Sequence, residues 1–266
     1  MSEHLDDLLE LAEDLAVRAG QLLLEGLDRP RVEVRTKSSA TDMVTEVDHL
    51  SERLIVDGIR LARPDDGILS EEGTGSAGSS GLCWVVDPLD GTTNYLYAHP
   101  GFAVSIAVER DGAPVVGVVN DPVHGEVFTA IRGRGANRNG GAIAISRATR
   151  LDSALVATGF SYEPRRRRAQ AAALERVLPR IRDIRRMGAA AVDLCSVACG
   201  RADAFYERGL QRWDMSAGSL IAAEAGARVE TIGGDPAGPG TVVAATPALF
   251  EPLRALLLEA GAADDV

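Results

Sequence analysis

Between residues 102 and 145 the chain carries three two-residue turn signals, Asp111-Gly112, His124-Gly125 and Asn139-Gly140, set between short apolar runs. Tight turns of this kind join antiparallel strands and leave no room for a crossover helix. The stretch predicts a meander, with strands near 103–109, 114–119, 126–131 and 142–145. Cys83-Trp-Val-Val86 reads as a further buried strand just before it. Whatever else the chain forms must pack against such a sheet.

Ahead of the meander, Leu5, Leu8, Leu9, Ala12, Leu15, Ala16, Ala19, Leu22 and Leu23 recur at helical spacing. They predict an amphipathic helix, with Gly26 as a candidate C-cap. Val32 to Lys37 alternates like a short strand. Thr45-Glu-Val-Asp48 resembles a capping box with Asp in place of Glu, opening a helix to about Leu61. Arg63 to Gly67 is a turn, Ile68-Leu-Ser70 a strand end, and Glu71 to Gly81 reads as a flexible surface loop. After Arg150 the character changes to α/β alternation. Strands are expected at 154–158, 204–206 and 242–245, and helices near 164–180, 189–199, 214–226 and from Pro247 onward. A boundary near 146–152 would divide an α+β unit, 1–148, from an α/β unit, 149–266.

Charge and composition exclude several classes of function. With 28 Lys and Arg against 39 Asp and Glu, the net charge of −11 repels nucleic acid and anionic membrane. Aromatics, at 4%, are too scarce for base-stacking platforms. Three cysteines do not make a disulfide framework. No signal peptide or membrane-spanning run is evident, so a reducing cytoplasm is the expected setting. The same charge should repel phosphorylated metabolites unless cations invert it locally.

Some motifs are weaker than they look. Gly73-Thr-Gly-Ser-Ala-Gly78 spells G-x-G-x-x-G, but a dinucleotide site needs a strand before it and a helix after it. Cys195 and Cys199, one helical turn apart, lack further ligands for a tetrahedral metal and read as core residues. Arg165 to Arg168 reads as a solvated helix start.

Trp84-Val-Val-Asp87-Pro-Leu-Asp90-Gly-Thr-Thr-Asn94 is different. A strand ends in two carboxylates three residues apart. Gly91 allows close backbone approach, and Thr92 and Thr93 present amide and hydroxyl donors where a helix would begin. Read alone, this is also ordinary turn chemistry. Glu71 follows another strand end, while Asp214 and Asp48 stand at helix starts, where plain capping is the competing explanation. Carboxylates gathered together repel and bind protons more tightly. Divalent cations resolve the repulsion and turn an acidic pocket into a phosphate site.

Asp87-Pro-Leu-Asp-Gly-Thr-Thr-Asn94 resembles the D-P-[IL]-D-G-T-T-N motif of the inositol monophosphatase family. Trp213-Asp-Met-Ser-Ala-Gly218 is similar to its W-D-x-[AS]-[AG]-G motif. Ile68-Leu-Ser-Glu-Glu72 resembles its G-E-E segment, with Ser70 replacing Gly, and Lys37-Ser-Ser-x-x-Asp42-x-Val-Thr-x-x-Asp48 also matches. The segments lie in the family's order over residues 37 to 245.

The resemblance implies a layered α-β-α-β-α sandwich, an α/β fold shared with fructose-1,6-bisphosphatase. It implies a Mg²⁺-dependent phosphatase with two to three ions per site. Glu71, Asp87 and the Leu89 carbonyl would hold the first ion, and Asp87, Asp90 and Asp214 the second, the lithium-sensitive one. The 1–148 unit would then supply most metal ligands and the 149–266 unit Asp214 and the substrate contacts. Glu71 and Thr92 would orient the attacking water, with Asp48 accepting from the Thr92 hydroxyl. The Gly91 and Thr92 amides would bind phosphate. Gly188, Ala189, Ala190 and Glu207, with Asp90 and Asp214, would face the leaving group. Ala189 stands where Ser or Thr is frequent. The expected substrate is inositol 1-phosphate or a related polyol phosphate. Histidinol phosphate, fructose 1,6-bisphosphate and 3′-phosphoadenosine 5′-phosphate are the alternatives, with a catalytically silent binding protein on the same fold as another. A homodimer acting on a small phosphate monoester, without nucleic acid or membrane, completes the expectation.

Overall fold

A computed structural model describes residues 3–27, 34–36, 43–234 and 240–263. The meander is present. β3 (Gly67–Ser70), β4 (Leu82–Asp90), β5 (Ala103–Arg110), β6 (Ala113–Asp121), β7 (Glu126–Ile131), β8 (Ala136–Arg138) and β9 (Gly141–Ala142) form one sheet in chain order. Only β3 and β4 pair in parallel. The Asn139-Gly140 turn joins β8 to β9, so the strand expected over 142–145 shrinks to Gly141–Ala142. β8 was missed because Ala136-Asn-Arg138 offers little apolar pattern.

Both faces of this sheet are covered, which explains its near-continuous apolar strands. Trp84, Val86, Ile106 and Val118 face α1 (Glu3–Leu27) and α2 (Glu46–Ala62) in one apolar cluster. Leu8, Ala12, Leu15, Ala19 and Leu23 of α1 join it, as the spacing predicted. Val85, Ala107 and Val119 point the other way, toward α5 (Ala190–Ala198) and α6 (Arg212–Glu224). These helices are rich in Ala and other small residues because they are pressed between two sheets. A Cβ at Gly117 would stand 2.9 Å from the Ala217 carbonyl oxygen, and one at Gly218 would stand 2.8 Å from Leu194. Cys195 is buried in this layer with Cys199 packed against it, the core role expected.

The second sheet runs β11 (Asp183–Arg185), β10 (Leu155–Thr158), β12 (Ala204–Arg208), β14 (Thr241–Ala245), β13 (Arg228–Ile232). Phe205 and Ala244 turn inward to α5 and α6. Val156, Tyr206 and Val243 turn outward to α4 (Pro164–Val177) and α7 (Pro247–Ala260), with Phe250 and Leu253 filling that layer. The layers stack α-β-α-β-α, the fold class expected. The sequence reading missed β11 and β13, and the Ala-rich helix ends at Val177, followed by a 3-10 turn at Leu178–Arg180.

Other local expectations need correction. Gly26 lies inside α1. It is small because the Tyr95 hydroxyl, donating to the Leu23 carbonyl at 2.9 Å, would stand 2.3 Å from a Cβ there. The strand expected over 32–37 is β1 (Val34–Thr36), paired antiparallel with β2 (Met43–Thr45). Residues 37–42, including Lys37 and Asp42, lie outside the described residues, as does the Thr45 side chain. The stretch from Glu71 to Gly81 lies at the surface, but it is tethered. Ser76 and Ile68 exchange backbone hydrogen bonds, and the Ser79 and Ser80 amides donate to the Asp65 carbonyl. The Gly73–Gly78 run lies between β3 and β4, so the helix a dinucleotide would need is absent.

Candidate functional site

β4 sets the geometry. Its register with β5 shifts between Asp87 and Asp90, a bulge that turns the strand end out of the sheet. The Asp87 carboxylate accepts from the Leu89 amide at 3.0 Å, and the Ser51 hydroxyl on α2 donates to the Pro88 carbonyl at 2.8 Å. Gly91 follows with φ 86°, and a Cβ there would stand 2.8 Å from the Gly101 carbonyl oxygen. Only glycine takes this place without strain. The short helix α3 (Thr92–Leu96) then begins, with its first amides beside the carboxylates.

Distant segments close on this turn. Asn94 donates to the Gly101 and Met187 carbonyls, each at 2.6 Å, and so binds the β4–β5 connection to residues 186–188. The amide of Ala191, at the start of α5, donates to Asp90 at 2.7 Å. Asp214 sits in the first turn of α6 and accepts from the Gln211 amide at 2.7 Å, so its capping role is real and occupies one oxygen. Behind it, buried Glu109 on β5 accepts from Arg212 and, at 2.6 Å, from the Ser216 hydroxyl. That bracket fixes the first turn of α6 against the meander.

The result is an open cavity lined by Glu71, Asp87, Leu89, Asp90, Gly91, Thr92, Gly188, Ala190, Glu207 and Asp214. Ten of the residues singled out from the sequence therefore meet in one place. Two do not line it. Ala189 is buried at the N-cap of α5, packed toward Gly91. Asp48 is fully buried on α2, near enough for its charge to bear on Asp87. The Thr92 hydroxyl donates to the Leu89 carbonyl at 3.1 Å, so its single proton has this acceptor in place of the expected Asp48.

The sequence reading also missed four lining residues, Phe160, Tyr162, Arg186 and Leu210. Tyr162 was the least visible, since only the fold brings its hydroxyl within 3.4 Å of that of Thr93. Arg186 had one signal, its place two residues before Gly188. Past Glu207 and Leu210 the cavity opens into an outer cleft walled by Glu163, Arg166, Arg208, Gln211 and Trp213.

The electrostatics bear on what the cavity could hold. Burial pushes the Asp87 carboxyl well above its usual range, and the charges of Glu71, Asp90, Asp214 and Asp48 push it further. Burial raises Asp90 to about 7, against the opposing Ala191 amide. Burial likewise raises Glu207 to about 7, with Arg186 opposing. Carboxylates so destabilised call for cations. The donor set of carboxylates plus the Leu89 carbonyl is all oxygen, which fits hard Mg²⁺ better than softer metals. Among the described residues no three such side chains converge tightly enough to cage an ion by themselves.

Comparison with known proteins places the chain in a family. Residues 4–261 match the Inositol monophosphatase family. The Mycobacterium leprae inositol-1-monophosphatase is 46% identical over 235 residues, 84% of this chain and 81% of that protein. A Xylella fastidiosa relative named Nus factor SuhB is 43% identical over 212 residues, covering 79% of this chain and 77% of its own. Among solved structures, the extragenic suppressor protein suhB of Bartonella henselae superposes with a TM-score of 0.88 at 36% identity, covering 94% of this chain and 98% of its own. By sequence over nearly its whole length, and by fold, the chain belongs to the inositol monophosphatase family.

Proposed function

We propose that the chain is a Mg²⁺-dependent phosphomonoesterase whose substrate is a polyol phosphate, with inositol 1-phosphate the leading candidate. The observation that carries this reading is the convergence of Glu71, Asp87, Asp90 and Asp214 with Leu89 in one cavity, beside the left-handed turn at Gly91 where α3 begins. Two to three Mg²⁺ held by those oxygens would neutralise the pocket, draw in the phosphate and acidify a water.

The chain's own groups do the rest. The Gly91 and Thr92 amides, at the start of α3, would donate to the phosphate oxygens. Glu71 accepts from the attacking water and fixes its lone pair toward phosphorus. The Thr92 hydroxyl is held toward the Leu89 carbonyl in this arrangement; turning to the water would break that bond, so its orienting role needs a rotation. Asp48 supplies negative charge from beneath. Gly188 and Ala190 form the wall against the leaving group, with buried Ala189 setting the start of α5 behind them. Glu207 accepts from leaving-group hydroxyls, helped by oxygens of Asp90 and Asp214 that ions leave free.

Phosphate release from a panel of esters, with Mg²⁺ and with EDTA, tests the reading; equal rates in EDTA would refute it. The same panel separates inositol 1-phosphate from histidinol phosphate, fructose 1,6-bisphosphate and 3′-phosphoadenosine 5′-phosphate. Millimolar lithium chloride should slow turnover relative to sodium chloride at equal ionic strength, if the Asp87, Asp90 and Asp214 set accepts lithium. The Nus factor name of the X. fastidiosa relative favours a second, non-catalytic binding role. Mg²⁺ binding without release of phosphate from any ester would support that alternative. A homodimer in the cytoplasm is the expected form. Among the described residues no helix is long and apolar enough to cross a membrane.

A further inference from the structure

Arg186 was not among the residues the motifs pointed to, yet its side chain is the one cation lining the cavity among the described residues. It reaches that position because Gly188 has no side chain. A Cβ there would stand 2.2 Å from Arg186 Nη1, inside the guanidinium. The Glu207 carboxylate lies against Gly159 in the same way, with both oxygens 2.1 Å from where a Cβ would be. Two glycines thus make room for one guanidinium and one carboxylate in the same cavity.

The two side chains are neighbours without being partners. Arg186 is close enough for its charge to favour the ionised form of Glu207. Among the described residues, though, neither side chain makes a hydrogen bond or a close ion pair. Asp193, 1% exposed on the first turn of α5, faces the same guanidinium. With the charges of two carboxylates near it, Arg186 is partly balanced and is no spare cation waiting for a second phosphate.

Guanidinium offers donors only, and an ionised carboxylate acceptors only. A ligand that satisfies both at once must accept at one point and donate at an adjacent one. Neighbouring hydroxyls do this: one accepts from Arg186 while the next donates to Glu207. We propose that Arg186 is a specificity-determining residue that, together with Glu207, reads a pair of adjacent hydroxyls on the leaving group. This rests on the phosphatase reading above and narrows its substrate to phosphate esters of vicinal diols.

The test compares inositol 1-phosphate with cyclohexyl phosphate, the same ring without hydroxyls, for wild type, Arg186→Ala, Arg186→Lys, Glu207→Gln and Arg186→Ala/Glu207→Gln. A site built to bond substrate hydroxyls penalises analogues that leave its polar groups unpaired. For Arg186→Ala the loss in kcat/KM on inositol 1-phosphate should exceed that on cyclohexyl phosphate by about 10-fold or more. Arg186→Lys should fall between, because it keeps the charge and loses the planar fork. The double variant should lose less than the product of the single losses, since the two groups act on one diol. Melting temperatures report folding, which an exposed arginine should scarcely affect. Equal losses on both esters, or independent losses in the double variant, would overturn the inference while wild-type hydrolysis of cyclohexyl phosphate leaves the phosphatase reading standing. If wild type with Mg²⁺ hydrolyses neither ester, the phosphatase reading fails and this inference with it.

Discussion

The two ends of the cavity are built in opposite ways. The proposed phosphate end is built mainly on one stretch, Asp87 to Asn94, joined by Glu71 and Asp214, and is stiffened by a strand bulge, a left-handed glycine and short hydrogen bonds to α2, α5 and residue 187. The proposed leaving-group end is assembled from residues 160–162, 186–190 and 207–210, which are far apart in sequence. Its charged side chains rest against glycines and make few bonds to the protein. Bond-breaking needs fixed geometry. Choosing among leaving groups needs unpaired donors and acceptors.

The most direct way to break this contrast is at the phosphate end. Asp90→Asn keeps an acceptor for the Ala191 amide but removes a charge that would anchor metal. Turnover should fall on the order of 10²-fold or more on every ester. A loss confined to polyol substrates would show that Asp90 belongs to the other end. Thr92→Ala keeps the amide and deletes the hydroxyl. It should lower kcat and kcat/KM together, by roughly 10-fold or more, as expected for an interaction needed in the transition state. A raised KM at normal kcat would make Thr92 a binding residue only.

At the leaving-group end, effects should depend on the substrate. Glu207→Ala should cost about 1.5–3 kcal/mol more of transition-state binding on inositol 1-phosphate than on an aryl phosphate. Gly159→Ala should imitate it more weakly, because the new methyl displaces the carboxylate and the side chain can swing aside. Steady-state kinetics on both esters measures each; equal losses on the two would mean that Glu207 supports the fold.

The smallest expected effect is on stability. Burial raises Asp90 and Glu207 to about 7, well above their values in an unfolded chain. Such groups hold protons more tightly when folded. The stability they contribute is complete below roughly pH 4 and is lost as the pH rises through 7. Without metal, the melting temperature should therefore fall by a few degrees from pH 5 to pH 8. Mg²⁺ needs the deprotonated ligands, so it should restore more at pH 8 than at pH 5. A Mg²⁺ shift that is the same at both pH values would show that these carboxylates do not meet the ion.

The contrast also explains what could be read from the sequence. The phosphate end was legible because bulge, glycine and donors lie within eight consecutive residues, each required by local backbone geometry. The meander was legible because its turns are local too. β11, β13 and β8 were not, since Asp183-Ile-Arg185, Arg228 to Ile232 and Ala136-Asn-Arg138 alternate weakly and owe their pairing to neighbours already in place. The tethering of residues 71–81 was hidden because its partners are backbone groups of Asp65 and Ile68. Tyr162 joins the cavity through tertiary packing, which no spacing rule registers, and Arg186 had only its nearness to Gly188 to mark it.

The two amide hydrogens of Asn94 have a further consequence. They connect the stretch that would cut the ester to the stretch that would recognise its alcohol, through carbonyl groups whose identity no mutation at Gly101 or Met187 can alter. Side chains at 160, 162, 186 and 207 can therefore drift without moving the cutting machinery, so long as that joint holds. A lineage carrying this scaffold is free to change what it cleaves by single substitutions on one rim, and a library randomised there should yield new substrate preferences far more often than inactive proteins.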